Sequence, residues 1–375
     1  MKIEMVDLKG QYKHIQNEVD EAVIKVIREA NFINGSDVAL FSDELSAYLD
    51  GAHVIPCANG TDALQIAMMA LDLRPGDEVI VPAFTYVATT EVIGLLNLKP
   101  VMVDVDPDTF NVTVDQIRKA ITPKTKAIVP VHLFGQCANM EPILDLAKEK
   151  GLYVIEDTAQ AIGAHFTFSD GTTRKAGTMG HIGCTSFFPS KNLGCYGDGG
   201  AVYTTDEMLA AKIKMIANHG QVKKYVHKYI GVNSRLDTIQ AAILRIKLRH
   251  LNNYSFARNT AAEKYDELLK GINGLVTPIR QHNSTHVFHQ YTLKIANGKR
   301  DALKQHLEAH GIPAMIYYPV PLHEQEAYKS IGEVVGDLSV TYNLCASVLS
   351  LPMHTELTDA QQQFISDTIH SFYKL

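Results

Sequence analysis

The sequence predicts an α/β fold with two parts, a large domain built on a mostly parallel sheet and a smaller α+β domain at the C-terminal end. Short apolar runs without polar alternation, such as Glu78–Val81, Val101–Val105 and Leu152–Asp157, are typical of strands buried on both faces of a parallel sheet. Segments with helical spacing separate these runs, which implies helices on both faces of the sheet. Beyond Leu236 the pattern changes to long helical segments.

The elements of the large domain follow in chain order. Residues 12–29 place apolar side chains at helical spacing, which predicts an opening helix. Further helices are predicted over Thr61–Leu73, Tyr86–Leu96, Thr113–Ile121 and Asn139–Lys150. Strands are predicted over Glu78–Val81, Val101–Val105, Ala127–Leu133 and Leu152–Asp157. We expect Thr113 to cap its helix and Gly151 to end the helix before it.

The C-terminal part is predicted to be smaller and more helical. Its predicted elements are helices over Asp237–His250 and Tyr254–Leu269, a strand near Tyr291–Ile295, a helix over Lys299–His310 and a last helix after Thr358. Thr358 and Gln361 match a capping box for that last helix. We place the boundary near residue 245, so that the large domain spans 1–245 and the small domain 246–375.

Length, charge and cysteine content limit the classes of protein to which this chain could belong. A chain of 375 residues is long enough for two domains and a substantial core. The formal charge of −6 argues against a nucleic-acid partner, since proteins that bind the phosphate backbone carry a basic excess. No apolar run approaches the ~20 residues that cross a bilayer, and the first residues do not resemble a signal peptide. For this reason we expect no membrane partner. The five cysteines form no Cys-x-x-Cys pair, so we expect reduced thiols and a cytoplasmic protein.

The most informative segment is Ser186–Gly200, which holds Lys191 on a short polar loop before four glycines. Asp157 ends a predicted strand, where ligands bind in open α/β sheets, while strand alternation turns its neighbour Glu156 to the opposite face. A lysine that forms a Schiff base and a carboxylate that pairs with a pyridinium nitrogen are the two groups a pyridoxal phosphate (PLP) enzyme requires. Alone, Lys191 could be a solvated loop residue and Asp157 a helix N-cap. Their order and spacing together favour PLP.

A phosphate site is predicted where a helix begins after Asn59. Gly60 and Thr61 open this helix, and backbone N–H groups at a helix N-terminus bind phosphate. A plain helix cap explains the same residues. The glycines after Lys191 do not form a nucleotide-binding fingerprint, and Asp198-Gly199 indicates a tight turn instead.

Five collinear motifs resemble the sugar-nucleotide aminotransferases of the DegT/StrS type. They are Cys57–Leu64, Pro82–Thr89, Ile155–Ala161, Ser186–Gly200 and Gly231–Asp237, so the resemblance covers nearly the whole chain. It implies the aspartate-aminotransferase-like fold (PLP fold type I), PLP as cofactor and L-glutamate as amino donor. It also implies a homodimer, in which Asn233 reaches across a two-fold interface to the cofactor phosphate of the other subunit.

The resemblance also implies roles for single residues. Lys191 would hold the cofactor and then move a proton between carbon atoms, and Asp157 would keep the pyridine nitrogen protonated. Gln160 matches the residue that bonds the ring hydroxyl, and Ser186 the second phosphate ligand. Other implied contacts are Tyr86 on the ring face, with Phe84 as a weaker alternative, and Tyr317 and Tyr318 in the sugar-contacting segment, where many relatives have histidine in place of Tyr317.

Two further sets of residues bear on anions and metals. Arg235 is the candidate anchor for a substrate carboxylate or phosphate, because guanidinium pairs with oxyanions through two hydrogen bonds. An ion pair with Asp237 is the alternative. His282, His286 and His289 would form a metal-binding face on a helix, but the residues between them predict loop and strand, so we expect no metal site.

The leading hypothesis is an aminotransferase that moves an amino group from L-glutamate to a keto sugar joined to a nucleotide diphosphate. The resemblance is greatest to enzymes acting on C3 of UDP-2-acetamido-2-deoxy-3-oxo-glucuronate in surface polysaccharide (lipopolysaccharide O-antigen) biosynthesis. The alternatives are a dTDP-3-keto- or 4-keto-6-deoxyhexose aminotransferase, a PLP dehydratase and a non-catalytic regulatory protein. Dehydratases of this fold have histidine in place of the lysine, and an intact Lys191 and Asp157 argue against a regulator.

Overall fold

The computed structural model describes residues 2–374. The helices are α1 (Leu8–Glu29), α2 (Ser36–Tyr48), α3 (Gly60–Ala70), α4 (Ala88–Leu95), α5 (Val114–Ala120), α6 (Met140–Lys150), α7 (Glu207–Ala217), α8 (Thr238–Leu268), α9 (Arg300–Ala309), α10 (Ser339–Ser347) and α11 (Asp359–Lys374). Over residues 2–374, no helix combines the length and the apolar character that crossing a membrane requires.

The strands form one large sheet, one small sheet and two hairpins. They are β1 (His53–Cys57), β2 (Glu78–Pro82), β3 (Lys99–Val103), β4 (Thr125–Ile128), β5 (Tyr153–Asp157), β6 (His165–Thr167), β7 (Thr173–Lys175), β8 (Ile182–Ser186), β9 (Gly200–Thr204), β10 (Gln221–Lys223), β11 (Val226–His227), β12 (Leu275–Val276), β13 (Tyr291–Ile295), β14 (Glu333–Val334) and β15 (Val348–Leu351). The central sheet has eight strands in the order β1-β9-β8-β5-β4-β2-β3-β14. β9 is antiparallel to both of its neighbours, and the other pairs are parallel. The predicted α/β class with a mostly parallel sheet is therefore confirmed.

The central sheet is buried on both faces, which explains the unbroken apolar runs in its strands. Within β2, Val79 and Val81 pack in the core cluster that contains residues of α3, α4 and α7. Ile80 points the other way, into the cluster that contains residues of α5 and α6. Because successive side chains of a strand face opposite sides, both sets must be apolar, as the sequence predicted.

The smaller sheet lies in the C-terminal part and pairs β12, β13 and β15 antiparallel. Leu293, Leu303 and Ile365 bring β13, α9 and α11 into one core cluster. The predicted capping box of α11 is confirmed, because the Gln361 backbone N–H donates to Thr358 Oγ1 at 3.3 Å. In return, the Thr358 N–H donates to the Gln361 side-chain oxygen at 2.9 Å.

The prediction of two helices between residues 237 and 269 is wrong, because α8 runs unbroken from Thr238 to Leu268. Asn252 and Asn253 disfavour a helix by only tenths of a kcal/mol each, and the neighbouring Leu251 is fully buried. Packing of one apolar face therefore carries the helix through this point. Residue 245 lies within α8, so the division into 1–245 and 246–375 stays a prediction.

The strand predicted over Ala127–Leu133 is shorter than expected, since β4 ends at Ile128. Pro130 has no N–H and cannot continue the ladder of hydrogen bonds. The chain leaves the sheet here, and only a single bridge joins Val131 to Asp157. β2, β4, β5 and β8 run in the same direction, so their carboxyl ends meet at one edge of the sheet.

Candidate active site

A cavity of about 770 Å³ lies at this edge of the sheet. Nine residues predicted for the site line it, namely Gly60, Thr61, Tyr86, Asp157, Gln160, Ser186, Lys191, Tyr317 and Tyr318. They come from positions as far apart as 60 and 318, and the parallel strands bring them together because each strand ends at the same edge. Two predicted residues, Asn233 and Arg235, do not line it.

Lys191 reaches the cavity from the loop between β8 and β9. A turn fixes this loop, because the Lys191 backbone N–H donates to the Phe188 carbonyl at 2.8 Å. Burial lowers the pKa of Lys191 to about 8, and the negative charge of Asp157 opposes this shift. With that pKa, about a tenth of the amines are neutral at pH 7, against fewer than one in a thousand for an ordinary lysine. The side chain is therefore prepared to act as a nucleophile and to carry a proton.

Asp157 ends β5 with its carboxylate held from two sides. Thr89 Oγ1 donates to Oδ2 at 2.9 Å, and the Ala159 N–H donates to Oδ1 at 3.1 Å. Burial raises the pKa of Asp157, while these two donors and the charge of Lys191 lower it. The N-cap interpretation does not apply, since β6 is the next regular element after β5. A fixed, buried carboxylate suits pairing with a cation such as a protonated pyridine nitrogen.

Glu156 points away from the cavity, as strand alternation predicted. Its carboxylate is fully buried and accepts a hydrogen bond from His132 Nε2 at 2.8 Å. The backbone N–H groups of Gly177, Met179 and Gly180 also donate to it, at 2.7, 2.7 and 2.5 Å. These contacts tie the loop before β8 to β5 and give Glu156 a structural part.

The predicted phosphate site is formed by the first turn of α3 and the end of β8. Asn59 caps the helix, because its Oδ1 accepts the Asp62 N–H at 2.8 Å. The N–H groups of Gly60 and Thr61 lie ahead of that bond at a positive helix end that lines the cavity. A Cβ on residue 60 would come within 2.7 Å of the Ser186 Cβ, so only glycine brings the two segments together. The Asn59 cap and the predicted phosphate site therefore involve the same turn.

The structure distinguishes the two aromatic residues that were considered for the ring face of the cofactor. Tyr86 lines the cavity with 57% of its surface exposed, whereas Phe84 is buried beside Phe110 and Phe134. Phe84 is therefore unavailable to a ligand.

Gln160 also lines the cavity. Its side-chain oxygen accepts a hydrogen bond from the Phe134 N–H at 2.7 Å, and its side-chain nitrogen donates to the Tyr318 hydroxyl at 3.0 Å. The second N–H of the amide is left for a ligand.

Asn233 and Arg235 lie on the extended segment before α8. Ser234 Oγ accepts the Ala58 N–H at 3.0 Å, which holds this segment beside the turn that precedes Gly60. Asn233 is exposed and Arg235 half-buried. Residues two apart in an extended segment share a face, so both side chains point away from the contact made by Ser234. Among the ion pairs of residues 2–374, none joins Arg235 to Asp237.

Three residues that the sequence did not single out also belong to this site. Thr89 orients Asp157, while His289 and Gln290 form part of the cavity wall. Thr89 lies in a recognised motif, but its hydrogen bond to a residue 68 positions away has no sequence signal. The sequence indicated His289 only as a member of a possible metal site, and Gln290 only as part of a strand-like stretch.

Taken together, the site has the parts of a PLP-dependent enzyme: a lysine with lowered pKa, a fixed buried carboxylate and an anion-binding helix end in one cavity. Comparison with known proteins identifies the family. The model of the DegT/DnrJ/EryC1/StrS aminotransferase family matches residues 13–370, and the chain belongs to this family. It is an aminotransferase and uses PLP.

Two curated relatives are each 44% identical to this chain. One is a UDP-2-acetamido-2-deoxy-3-oxo-D-glucuronate aminotransferase of Pseudomonas aeruginosa, with 97% of this chain and 98% of the relative covered. The other is a pleiotropic regulatory protein of Geobacillus stearothermophilus, with 100% and 99% covered. Among solved structures, NtdA from Bacillus subtilis with the bound cofactor PMP has a TM-score of 0.91 at 30% identity, with 100% of this chain and 86% of that chain covered. The predicted fold type is thereby confirmed.

Proposed function

We propose that this aminotransferase moves an amino group from L-glutamate to C3 of UDP-2-acetamido-2-deoxy-3-oxo-glucuronate, as a cytoplasmic step in surface polysaccharide biosynthesis. The observation that carries the aminotransferase chemistry is the meeting of Lys191 and Asp157 in one cavity. The resemblance of the sequence motifs and the 44% identity to the Pseudomonas enzyme support the substrate.

The residues of this chain have distinct parts in the proposed reaction. When bound, PLP supplies the electron sink that stabilises negative charge on the carbon that loses its proton. Lys191 would hold the cofactor through its amine, and the same amine would carry a proton between two carbon atoms. Asp157 holds a proton on the pyridine nitrogen, and Thr89 fixes the direction of that carboxylate. The Gly60 and Thr61 N–H groups and the Ser186 hydroxyl bind the phosphate, Gln160 bonds the ring hydroxyl, and Tyr86 covers the ring.

The proposed substrate is strongly anionic, with two phosphates and a carboxylate, whereas the chain has a net charge of −6. Within residues 2–374, Lys191 is the one lysine or arginine that lines the cavity, and the cofactor engages it. Cations from outside the cavity must therefore hold the sugar nucleotide. Tyr317 and Tyr318 line the cavity, and we propose that they contact the sugar.

Arg235→Lys is expected to raise the KM for the 3-keto uronate roughly 10-fold, because a point-charge ammonium does not reproduce two parallel hydrogen bonds to a carboxylate. The KM for the matching neutral keto sugar should change less. Steady-state kinetics with both UDP-sugars measures the difference, and Arg249→Lys, on the exposed part of α8, is the matched control. Equal losses for both sugars would assign Arg235 to the diphosphate instead.

We also propose that the active unit is a homodimer in which Asn233 and Arg235 complete the site of the other subunit. Both lie outside their own cavity, and Asn233 is exposed. Nearby, Tyr225 and Ile230 expose 82% and 90% of their surfaces, which is typical of an apolar patch that a partner covers. A two-fold interface would supply both cavities with the same residues.

Mixing inactive Lys191→Ala chains with impaired Asn233→Ala chains tests this arrangement. In the heterodimer one site lacks both groups and the other keeps both, so activity should return to about a quarter of the wild-type level at full exchange of equal amounts. Chain exchange is verified by mass spectrometry of the intact dimer. If exchange is complete and activity stays absent, Asn233 acts within its own subunit.

The sequence resemblance to dTDP-sugar enzymes keeps a dTDP-linked keto-deoxyhexose as the second candidate substrate. A panel of UDP- and dTDP-linked keto sugars, each assayed with L-glutamate, tests the choice. We expect the 3-keto uronate to have the highest kcat/KM. Efficient turnover of dTDP-linked sugars alone would contradict the uronate, while leaving the aminotransferase activity in place.

A further inference from the structure

The segment His286–Gln290 is held more rigidly than a connection before a strand requires. Its carbonyl groups accept hydrogen bonds from side chains of α8 and of the loop that carries Lys191. Asn259 donates to the His286 carbonyl at 2.9 Å and Asn192 to the Val287 carbonyl at 2.8 Å. Arg258 donates to the Phe288 carbonyl at 2.9 Å and more weakly to that of His289 at 3.4 Å.

The same segment contains an unfavourable backbone conformation. Phe288 has φ of +45°, in the left-handed region that a bulky side chain rarely adopts. Its ring is fully buried and stacks on His286, with 3.8 Å between ring centroids and 6° between planes. A strained residue that the surrounding structure holds in place often serves a site. Here the strain presents the next residue, His289, to the cavity.

His289 lies in the cavity wall and has a buried ring nitrogen without a hydrogen-bond partner within residues 2–374. Its side chain is 94% buried, with 6% of the residue surface exposed. Nε2 lies 3.5 Å from the side-chain nitrogen of Gln290, which can only donate. Burial, together with the charges of Lys191 and Arg258, holds the pKa of His289 well below its ordinary value. The neutral ring therefore carries its proton on Nδ1, and Nδ1 has no partner within residues 2–374.

The surroundings of His289 favour an anion. Arg258 is 3% exposed, and its hydrogen bonds within residues 2–374 go to backbone carbonyls, with no carboxylate partner. Its charge acts on His289, and an uncompensated cation behind a wall creates a positive potential in front of it. An N–H group in that position binds a carboxylate through a charge-assisted hydrogen bond.

We propose that the Nδ1–H of His289 binds the α-carboxylate of the amino donor. This rests on the proposed function, in which L-glutamate would react at the cofactor that Lys191 would hold. The α-carboxylate is bonded to the carbon that loses its proton, so its binding site must lie beside Lys191. His289 meets this condition, because Asn192, the next residue after Lys191, is bonded to the segment that carries it.

The test uses the PLP-loaded enzyme and separates the two half-reactions. Mixing with L-glutamate alone converts bound PLP to its amine form and releases 2-oxoglutarate, which the cofactor absorbance follows. Mixing the amine form with the keto sugar reports the other half. Glutarate, a dicarboxylate without an amine, reports binding without reaction. Because the first half-reaction needs no sugar, an error in the proposed sugar substrate would not affect it.

Three substitutions at His289 test whether the residue donates a hydrogen bond through Nδ1 or only supports the structure. His289→Asn places an amide N–H near the position of Nδ1, whereas His289→Gln extends its amide toward Nε2 and His289→Leu has no donor. We expect the Gln and Leu variants to bind L-glutamate and glutarate about 10- to 100-fold more weakly, and the Asn variant to stay within about 5-fold of the wild type. His282→Leu, at an exposed position four residues before this segment, is the matched control.

The keto-sugar half-reaction and the affinity for PLP should change little in any of these variants. Equal weakening in the Asn, Gln and Leu variants would overturn the proposal, as would a loss confined to the keto sugar. If the Leu variant does not fold, the comparison of Asn with Gln decides, since both carry the same polar amide group. Failure of the wild type to react with L-glutamate would contradict the proposed donor, and glutarate binding would still test His289.

Discussion

Lys191→Ala should abolish transamination, lowering kcat by at least about 10⁴-fold, because it removes both the covalent attachment of PLP and the group that moves the proton. Lys175→Ala is the matched control. Lys175, on β7, is also partly buried, but its amine lies over the Tyr48 ring, outside the cavity. Borohydride reduction of the wild-type enzyme followed by peptide mapping should place the pyridoxyl group on Lys191. Label on another lysine would assign the attachment elsewhere.

Asp157→Asn should keep the fold and bind PLP but lower kcat by roughly 10²–10⁴-fold, because an amide does not hold a proton on the pyridine nitrogen. The Ala159 N–H can still donate to the amide oxygen in the Oδ1 position, and the Thr89 hydroxyl can accept from the amide N–H in the Oδ2 position, so the side chain should stay in place. Asp145→Asn, on the exposed face of α6, is the control. Single-turnover kinetics with L-glutamate measures the effect, and near-normal rates in Asp157→Asn would show that another group holds that nitrogen.

The central sheet could be predicted from sequence where its strands are apolar on both faces. β2, β3 and β5 are of this kind, and their positions were predicted within two residues. β8 and β9 were not assigned, because Gly183, Cys184 and Gly200 have weak preferences for strands. They are strands because they fill the space between β1 and β5. Gly200 itself passes so close to Asn59 that a Cβ would lie 2.5 Å from its carbonyl.

The site was predictable to the extent that its residues fall in contiguous motifs. Lys191, Asp157 and the turn at Gly60 have a local signature, and the structure brings all three to one cavity. Thr89 acts on the site through a residue 68 positions away, and the segment of His289 is held beside the Lys191 loop by a hydrogen bond between Asn192 and Val287. Asn233 and Arg235 raise a different difficulty, because their proposed partners belong to a second subunit, which one chain does not contain.

Transfer of labelled nitrogen tests the central claim most directly. The PLP-loaded enzyme is incubated with ¹⁵N-L-glutamate and UDP-2-acetamido-2-deoxy-3-oxo-glucuronate, and the sugar product is analysed by mass spectrometry and NMR. The proposed function predicts one ¹⁵N amine on C3 for each 2-oxoglutarate released, with neither product formed by Lys191→Ala. Release of 2-oxoglutarate without label in this sugar would contradict it, as would label transfer only when a dTDP-linked keto sugar replaces the uronate.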